Sequence, residues 1–400
     1  MSKVKNFSDA ILKAVQQEIF GMDEVVQLSL VALYTGGHVL LEGNPGMGKT
    51  ELVKTLGNVL RLPFGRIQFT PDLMPADITG TYMPDFENQD SRSLKFREGP
   101  IFTSLLLADE INRATPKTQS AMLEAMAEQQ VTVLGKIKKL EPPFMVLATQ
   151  NPIDHEGTYN LPEAQADRFM FKVLMPVPDS NTLRLILSRR SGESSQKKKI
   201  SDANPDSDSD GLLKDPEDSM EKYIHLRRII EKVVPLPSLE IHILNMILAS
   251  NRQFGEMEDI DRRQTERTAI LVEELMTYGL GPRAAIAMML GAKAFALMFP
   301  PNTENADGPS LARVVINTEN ADGPSLARVV IPSLRHRIKL DIDWEYRYRK
   351  IIKKDIPNET LLMEKMLADF CIATAPKKYE YQVTIKGNPS MKKYAAGEGW

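Results

Sequence analysis

The chain has 400 residues, 42% apolar and 26% charged, with 50 lysines and arginines against 53 aspartates and glutamates, for a net charge of -3. That balance argues against a protein dominated by nucleic-acid contact, and the length admits two or three domains whose cores need no disulfide staples. The single cysteine, Cys371, cannot form an intramolecular bridge and reads as a small buried hydrophobe. With no apolar leader and no apolar run of about 18 residues, a cytoplasmic protein without a membrane span is expected.

From Gly37 to Pro176 short apolar runs alternate with helical patterns, which predicts an α/β domain with a parallel five-stranded sheet covered by helices. The candidate strands are HVLLEG, GRIQFT, SLLLADE, PFMVLATQ and FMFKVLMP. Directly after the first comes GNPGMGKT, a complete G-x-x-x-x-G-K-[ST] match, and directly after that Leu52, Val53, Leu56, Val59 and Leu60 recur at helical spacing. A strand, a glycine loop and a helix in that order form a phosphate cradle, because inward-turned N–H groups and the helix N-terminus both favour an anion. Gly43, Asn44, Pro45, Gly46, Met47, Gly48, Lys49, Thr50 and Glu51 are therefore candidate nucleotide contacts. Lys49 is placed to reach the β and γ phosphates of ATP, and the Thr50 hydroxyl to ligate Mg2+.

The strand around Leu105, Leu106 and Leu107 ends in Asp109 and Glu110, the acidic partner a phosphate-binding loop requires. Asp109 is expected to hold the magnesium shell and Glu110 to orient and polarise the attacking water. Thr115 and Pro116 then open a helix that turns Met122, Leu123 and Met126 to the core, and VLGKIKKL reads as a hairpin bearing Lys136, Lys138 and Lys139.

The division expected is a nucleotide domain over 1–180, an acidic linker over 190–218, a helical lid over 219–340 and a C-terminal helical segment and polar tail over 341–400. The lid is expected to open at Asp218, capped with Glu221. Within the linker, Asp206 to Glu217 fits the calcium-loop pattern, although acidic low-complexity sequence matches it by accident. Within the lid, NTENADGPSLARVVI occurs twice, at 302–316 and 317–331; two copies of fifteen residues make no solenoid and read as a tandem duplication. In WEYRYRKIIKK, Trp344, Tyr348, Ile351 and Ile352 share one helical face, so packing is preferred to a nucleic-acid surface. His38, His155, His225, His242 and His336 lack metal-pair spacing and read as structural.

RIQFTPDLMPADITG, LLLADEINRATPKTQSAMLEAMAEQQVT, VLATQNP and GTYNLPEAQADRF together resemble the MoxR family of AAA+ ATPases over most of Gly21 to Leu340. The resemblance implies that Asn151 is the sensor 1 residue, that Arg168 is the arginine finger serving a neighbouring subunit, and that Arg283 in GLGPRA is the sensor 2 arginine. It places TPDLMPADITGTYMPDFENQDSRSLKFREGP as an insertion facing the pore of a ring. Many relatives carry alanine where this chain has Gly48. It further implies self-association as a hexameric ring, ATP hydrolysis used to remodel or mature protein complexes, and protein clients that include von Willebrand factor A domain proteins. A nucleic-acid-associated motor and a non-hydrolysing scaffold are the alternatives, and nucleic acid is the less expected partner.

Overall fold

The computed structural model describes residues 2–44, 46–84, 94–151, 159, 161–190, 213, 215–300, 320–321, 332–353, 356 and 358–376. The first copy of the duplicated segment, all but two residues of the second, Asp206 to Gly211 of the calcium-loop pattern, Pro45 and His155 lie outside them. The chain divides into two compact units, Ser2–Asn160 with Val173–His225, and Leu161–Lys172 with Leu226–Trp400. The segment that carries Arg168 thus groups with the second unit.

The first unit begins with α1 (Ser2–Gln16), where Val4, Ser8, Ile11 and Val15 recur at helical spacing on the buried face, and α2 (Asp23–Thr35), buried over most of its length. There follow β1 (Val39–Glu42), α3 (Lys49–Leu60), β2 (Phe64–Gln68), α4 (Pro75–Thr79), β3 (Gly80–Pro84), β4 (Leu94–Glu98), β5 (Leu105–Asp109), α5 (Pro116–Glu128), β6 (Gln130–Val133), β7 (Lys136–Lys139) and β8 (Met145–Gln150); the segment that groups with the second unit then carries α6 (Glu163–Ala166) and the start of β9 (Phe171–Leu174), and α7 (Ser180–Arg190) follows. All five strands expected from the sequence form one sheet, in the order β2-β5-β8-β1-β9. The pairs β2–β5, β5–β8 and β1–β8 run parallel. Leu105 to Ala108 and Met145 to Thr149 are buried without interruption, as central strands covered on both faces must be. β2 lies at the edge and is correspondingly polar and half-exposed. Met122, Leu123 and Met126 of α5 are buried, as their spacing predicts.

Two antiparallel hairpins stand beside this sheet, β3–β4 within the insertion and β6–β7 at the lysine-rich stretch. Leu134 and Gly135 both take positive φ, the two-residue turn whose twist suits a hairpin. Lys136 lies 5.1 Å from the Tyr82 ring and Lys138 5.0 Å from the Phe96 ring, so cation–π contacts join the two hairpins. Leu134, Ile137, Met83 and Leu94 are left exposed.

The helix expected from Asp218 begins earlier, as α8 (Pro216–Lys232). Its cap is Asp215, whose Oδ1 accepts from the Asp218 N–H at 2.9 Å, and Pro216 supplies the preset φ of a first helical residue.

The second unit adds β10 (Val234–Pro235), α9 (Pro237–Ser250), α10 (Arg262–Leu275), β11 (Met276–Tyr278), α11 (Pro282–Met298), β12 (Asn320–Ala321), β13 (Lys339–Leu340) and helices at Trp344–Ile352 and Glu359–Ala373. Asp261 and Gln264 form a reciprocal capping box on α10, at 2.8 and 3.1 Å. Trp344 and Tyr348 are buried, which bears out packing for the aromatic-basic stretch. The Tyr348 hydroxyl donates to Asp369, which also pairs with Lys365 at 2.9 Å; both charges are buried, and a buried pair holds only when its remaining lone pairs are satisfied in this way. Cys371 is buried, and no described helix is long and apolar enough to cross a membrane.

Candidate active site

The site of the first unit lies at the carboxyl ends of β1, β5 and β8, three neighbouring strands, where open α/β sheets collect their ligands. β1 runs into the glycine loop and the loop into α3, whose first residue is Lys49. Gly43 is needed because a Cβ there would come within 2.6 Å of the Met175 Cβ. Gly48 takes φ +80°, so an alanine at this position would sit in the left-handed region at a cost of about 1 kcal/mol or more. The Lys49 ammonium donates to the Gly43 carbonyl, folding the side chain back over the loop. Burial lowers its pKa, while Asp109, Glu110 and Glu42 act the other way and favour the charged form. Lysine and both expected carboxylates are therefore within electrostatic reach of one another. Asn44, Gly46, Gly48, Thr50 and Glu51 are exposed around them, and Met47 is half-buried.

Asp109 ends β5, and Glu110 follows it in the left-handed conformation, φ 57°. The buried Thr149 of β8 joins the two: its hydroxyl donates to Asp109 Oδ1 at 2.7 Å and accepts from the Glu110 N–H at 2.8 Å. Asn151 comes two residues later, half-buried at the end of β8.

Sequence reasoning missed the groups that grip these carboxylates from β2. Gln68 pairs with Asp109 in the β2–β5 register, and its amide donates to Glu110 Oε2 at 2.9 Å. Arg66, two residues back on the same face, pairs with Asp109 Oδ2 at 2.7 Å and donates to the Gln68 amide oxygen. Arg113 reaches Glu110 Oε2 at 2.8 Å. The alternation of polar residues in RIQ was the available signal, but only the strand order shows which carboxylates it faces.

Among the described residues no group of three or more His, Cys, Asp or Glu side chains could hold a metal ion unaided. One carboxylate, Asp109, and one hydroxyl, Thr50, suit Mg2+ instead, an ion that keeps water and phosphate oxygens in most of its shell.

The two expected arginines lie in the second unit, around Asp167. Arg283, at the start of α11 and half-exposed, is 3.5 Å from Asp167 Oδ2. Arg168 is the next residue along the chain from Asp167 and is itself half-buried. The structure thus places Lys49, Asp109 and Glu110 at the same end of the sheet and sets Arg283 beside Asp167, the chain neighbour of Arg168. Of the histidines expected to be structural, His38 and His242 are buried and His336 half-buried, each with a backbone partner, while His225 is exposed.

Residues 38–171 match the profile of the ATPase family associated with various cellular activities (AAA). The chain is 39% identical over 284 residues to the uncharacterised protein YeaC of Bacillus subtilis, covering 71% of this chain and 77% of that one. It is 37% identical over 286 residues to Chaperone MoxR1 of Mycobacterium tuberculosis, covering 71% of this chain and 67% of the relative. A crystal structure of a provisionally assigned ATPase from Cytophaga hutchinsonii superposes with a TM-score of 0.67 at 33% identity, over 91% of this chain and 94% of the other. With its five-stranded parallel sheet and its glycine loop and acidic pair on neighbouring strands, the chain belongs to the MoxR family of AAA+ ATPases.

Proposed function

We propose that the protein hydrolyses ATP to ADP and phosphate and uses the energy to remodel or mature protein complexes, working as a ring. The observation that carries the reading is the glycine loop after β1 and the Asp109–Glu110 pair at the end of β5, set at the same end of the sheet with β8 between them and Thr149 bonded to both acidic residues. The loop from Gly43 to Thr50 binds the phosphates, and Thr50 with Asp109 would hold Mg2+. When bound, that ion neutralises charge on the β and γ phosphates. Glu110 positions the attacking water and draws its proton, and Asn151 holds the water or the γ-phosphate from the neighbouring strand. Arg283 is the arginine that the family resemblance assigns to the nucleotide. Arg168 supplies the cationic donor for the developing charge at a neighbouring subunit's site, which suits a planar guanidinium that never loses its proton.

A protein client is favoured over nucleic acid by the paired hairpins. Lys136 and Lys138 lie over aromatic rings, and Met83, Leu94, Leu134 and Ile137 stand exposed among the hairpins' charged side chains, an apolar contribution that a protein surface can cover and a phosphate backbone cannot. Proteins with von Willebrand factor A domains are the clients the family suggests.

Glu110→Gln tests the chemistry. The amide keeps the hydrogen-bonding shape but is a poor base, so turnover should fall by two orders of magnitude or more (~100-fold) while ATP binding persists. Lys49→Ala should lose nucleotide affinity itself. Turnover of Glu110→Gln at the normal rate would remove Glu110 from the mechanism.

A further inference from the structure

Arg335, His336 and Arg337 close on one short stretch of backbone, residues 167–172. Arg337 spends all five of its N–H groups: Nε on Asp167 Oδ1 at 2.8 Å, Nη1 on the carbonyls of Met170 at 3.0 Å and Ser333 at 2.6 Å, and Nη2 on those of Asp167 at 3.1 Å and Phe169 at 2.6 Å. Its side chain is 3% exposed. His336 lies 2.9 Å from the Phe169 carbonyl; burial, aided by the Arg337 charge, holds the ring well below its ordinary pKa, so it is neutral and Nε2–H donates. Arg335 donates to the Lys172 carbonyl at 3.2 Å and is itself paired with Glu364.

Local structure accounts for the N–H side of the stretch only: the Arg168 and Phe169 N–H groups donate to the Gln165 and Ala166 carbonyls at 3.2 and 3.0 Å, but its own carbonyls have no local partners among these bonds. α6 is four residues long and ends at Ala166, and β9 begins only at Phe171. Between them the carbonyls of Asp167, Phe169 and Met170 are satisfied by side chains distant in sequence. Arg168 stands in the middle, with the residue on each side gripped and its own side chain half-buried.

We propose that Arg337, flanked by Arg335 and His336, is the positioning residue for Arg168: it fixes the backbone on both sides of the finger. This rests on the reading of Arg168 as an arginine finger. The geometry is specific to arginine. A lysine would keep the charge opposite Asp167 but offers three donors from one point, which cannot span carbonyls on both sides of residue 168. Asp167 contributes from the other direction, with one carboxylate oxygen on the buried Arg337 and the other facing the exposed Arg283.

The test uses the full-length protein and three measurements on Arg337→Lys: hydrogen exchange across 167–172, ATP affinity with a fluorescent analogue, and ATPase activity alone and in mixtures. Exchange at 169–172 should rise and ATP affinity stay within about twofold, while kcat falls by something on the order of a hundredfold, the cost of a finger displaced by about an ångström. Mixing then separates positioning from general damage. Arg337→Lys should regain activity with Glu110→Gln, because some interfaces pair an intact Glu110 with an intact finger. It should regain none with Arg168→Ala, because both carry the defect on the same side. If Arg337→Lys does not fold, Asp167→Asn, which leaves the four carbonyl bonds of Arg337 in place, should show the same pattern more weakly.

Unchanged exchange at 169–172, or rescue of Arg337→Lys by Arg168→Ala, overturns the positioning role. Failure of Arg168→Ala itself to be rescued by Glu110→Gln overturns the finger reading instead.

Discussion

Arg66 occupies the carboxylate that the magnesium reading needs. Its guanidinium sends two donors to Asp109 Oδ2, at 2.7 and 3.3 Å, from a side chain 47% exposed. A bound cation must share or displace that contact, and an ion pair open to water is worth only about 0.2–1 kcal/mol. Arg66→Ala should therefore move the magnesium midpoint for nucleotide binding to lower concentration by about two- to fivefold, as read by titrating the metal against a fluorescent nucleotide. A midpoint that stays or rises would mean that Arg66 orients Asp109 for the metal rather than competing with it. Lys49, Asp109 and Glu110 could be read from sequence because each is local to a motif, a loop or a strand end. Arg66, Gln68 and Thr149 could not, because their roles depend on β2 and β8 flanking β5, and strand order is not written in any one segment.

Single histidines tie elements together, and His38 does so only while neutral. His38 precedes β1, accepts the Val146 N–H of β8 at Nδ1 (3.0 Å) and sits 3.2 Å from the Met126 carbonyl of α5 through Nε2. Burial lowers its pKa from 6.5 to about 4. Protonating Nδ1 would break the bond to β8, so below pH 6.5 the unfolded chain takes up a proton that the folded ring refuses. Stability should therefore be insensitive to this group above pH 6.5 and fall as pH drops from 6.5 toward 4, by up to about 1.4 kcal/mol per pH unit. His242, also lowered to about 4 by burial, acts in the same direction within the second unit. His38→Leu should cost about 1–3 kcal/mol at pH 7.5, through the orphaned Val146 N–H and Met126 carbonyl, yet flatten the acid slope. Urea unfolding at pH 7.5, 6 and 5 checks this, and parallel profiles for the two proteins would remove His38 from the account. The sequence identified such histidines as structural only by excluding metal spacing; their partners lie far along the chain. Elements themselves were more legible. The five sheet strands follow from apolar runs bounded by turns, whereas α6 and β10 to β13 are too short to carry a period and take their form from tertiary contacts.

At the scale of the whole molecule, one copy of the duplicated segment is expected to be dispensable. The two described residues of the duplication, Asn320 and Ala321, belong to the second copy; they form β12, which runs parallel to β10 and lies against α11. Deleting either copy yields one and the same protein, which retains an Asn-Ala pair at unchanged spacing before Pro332, Arg335 and Arg337. The 21 residues from 299 to 319 between α11 and β12 become six when fifteen are removed. Six residues can still span about 20 Å, enough for neighbouring elements, and the change in closure entropy on shortening is below about 1–2 kcal/mol. The truncated protein should therefore melt within a few degrees of the full chain, bind ATP with the same affinity and retain its ATPase activity. Because the clamp on Arg168 follows directly after the duplication, its exchange protection at 167–172 offers the most sensitive comparison. Protection equal to that of the full chain means that a single copy suffices to hold the helical unit together, whereas lost protection or lost ATP binding means that both copies are part of the fold.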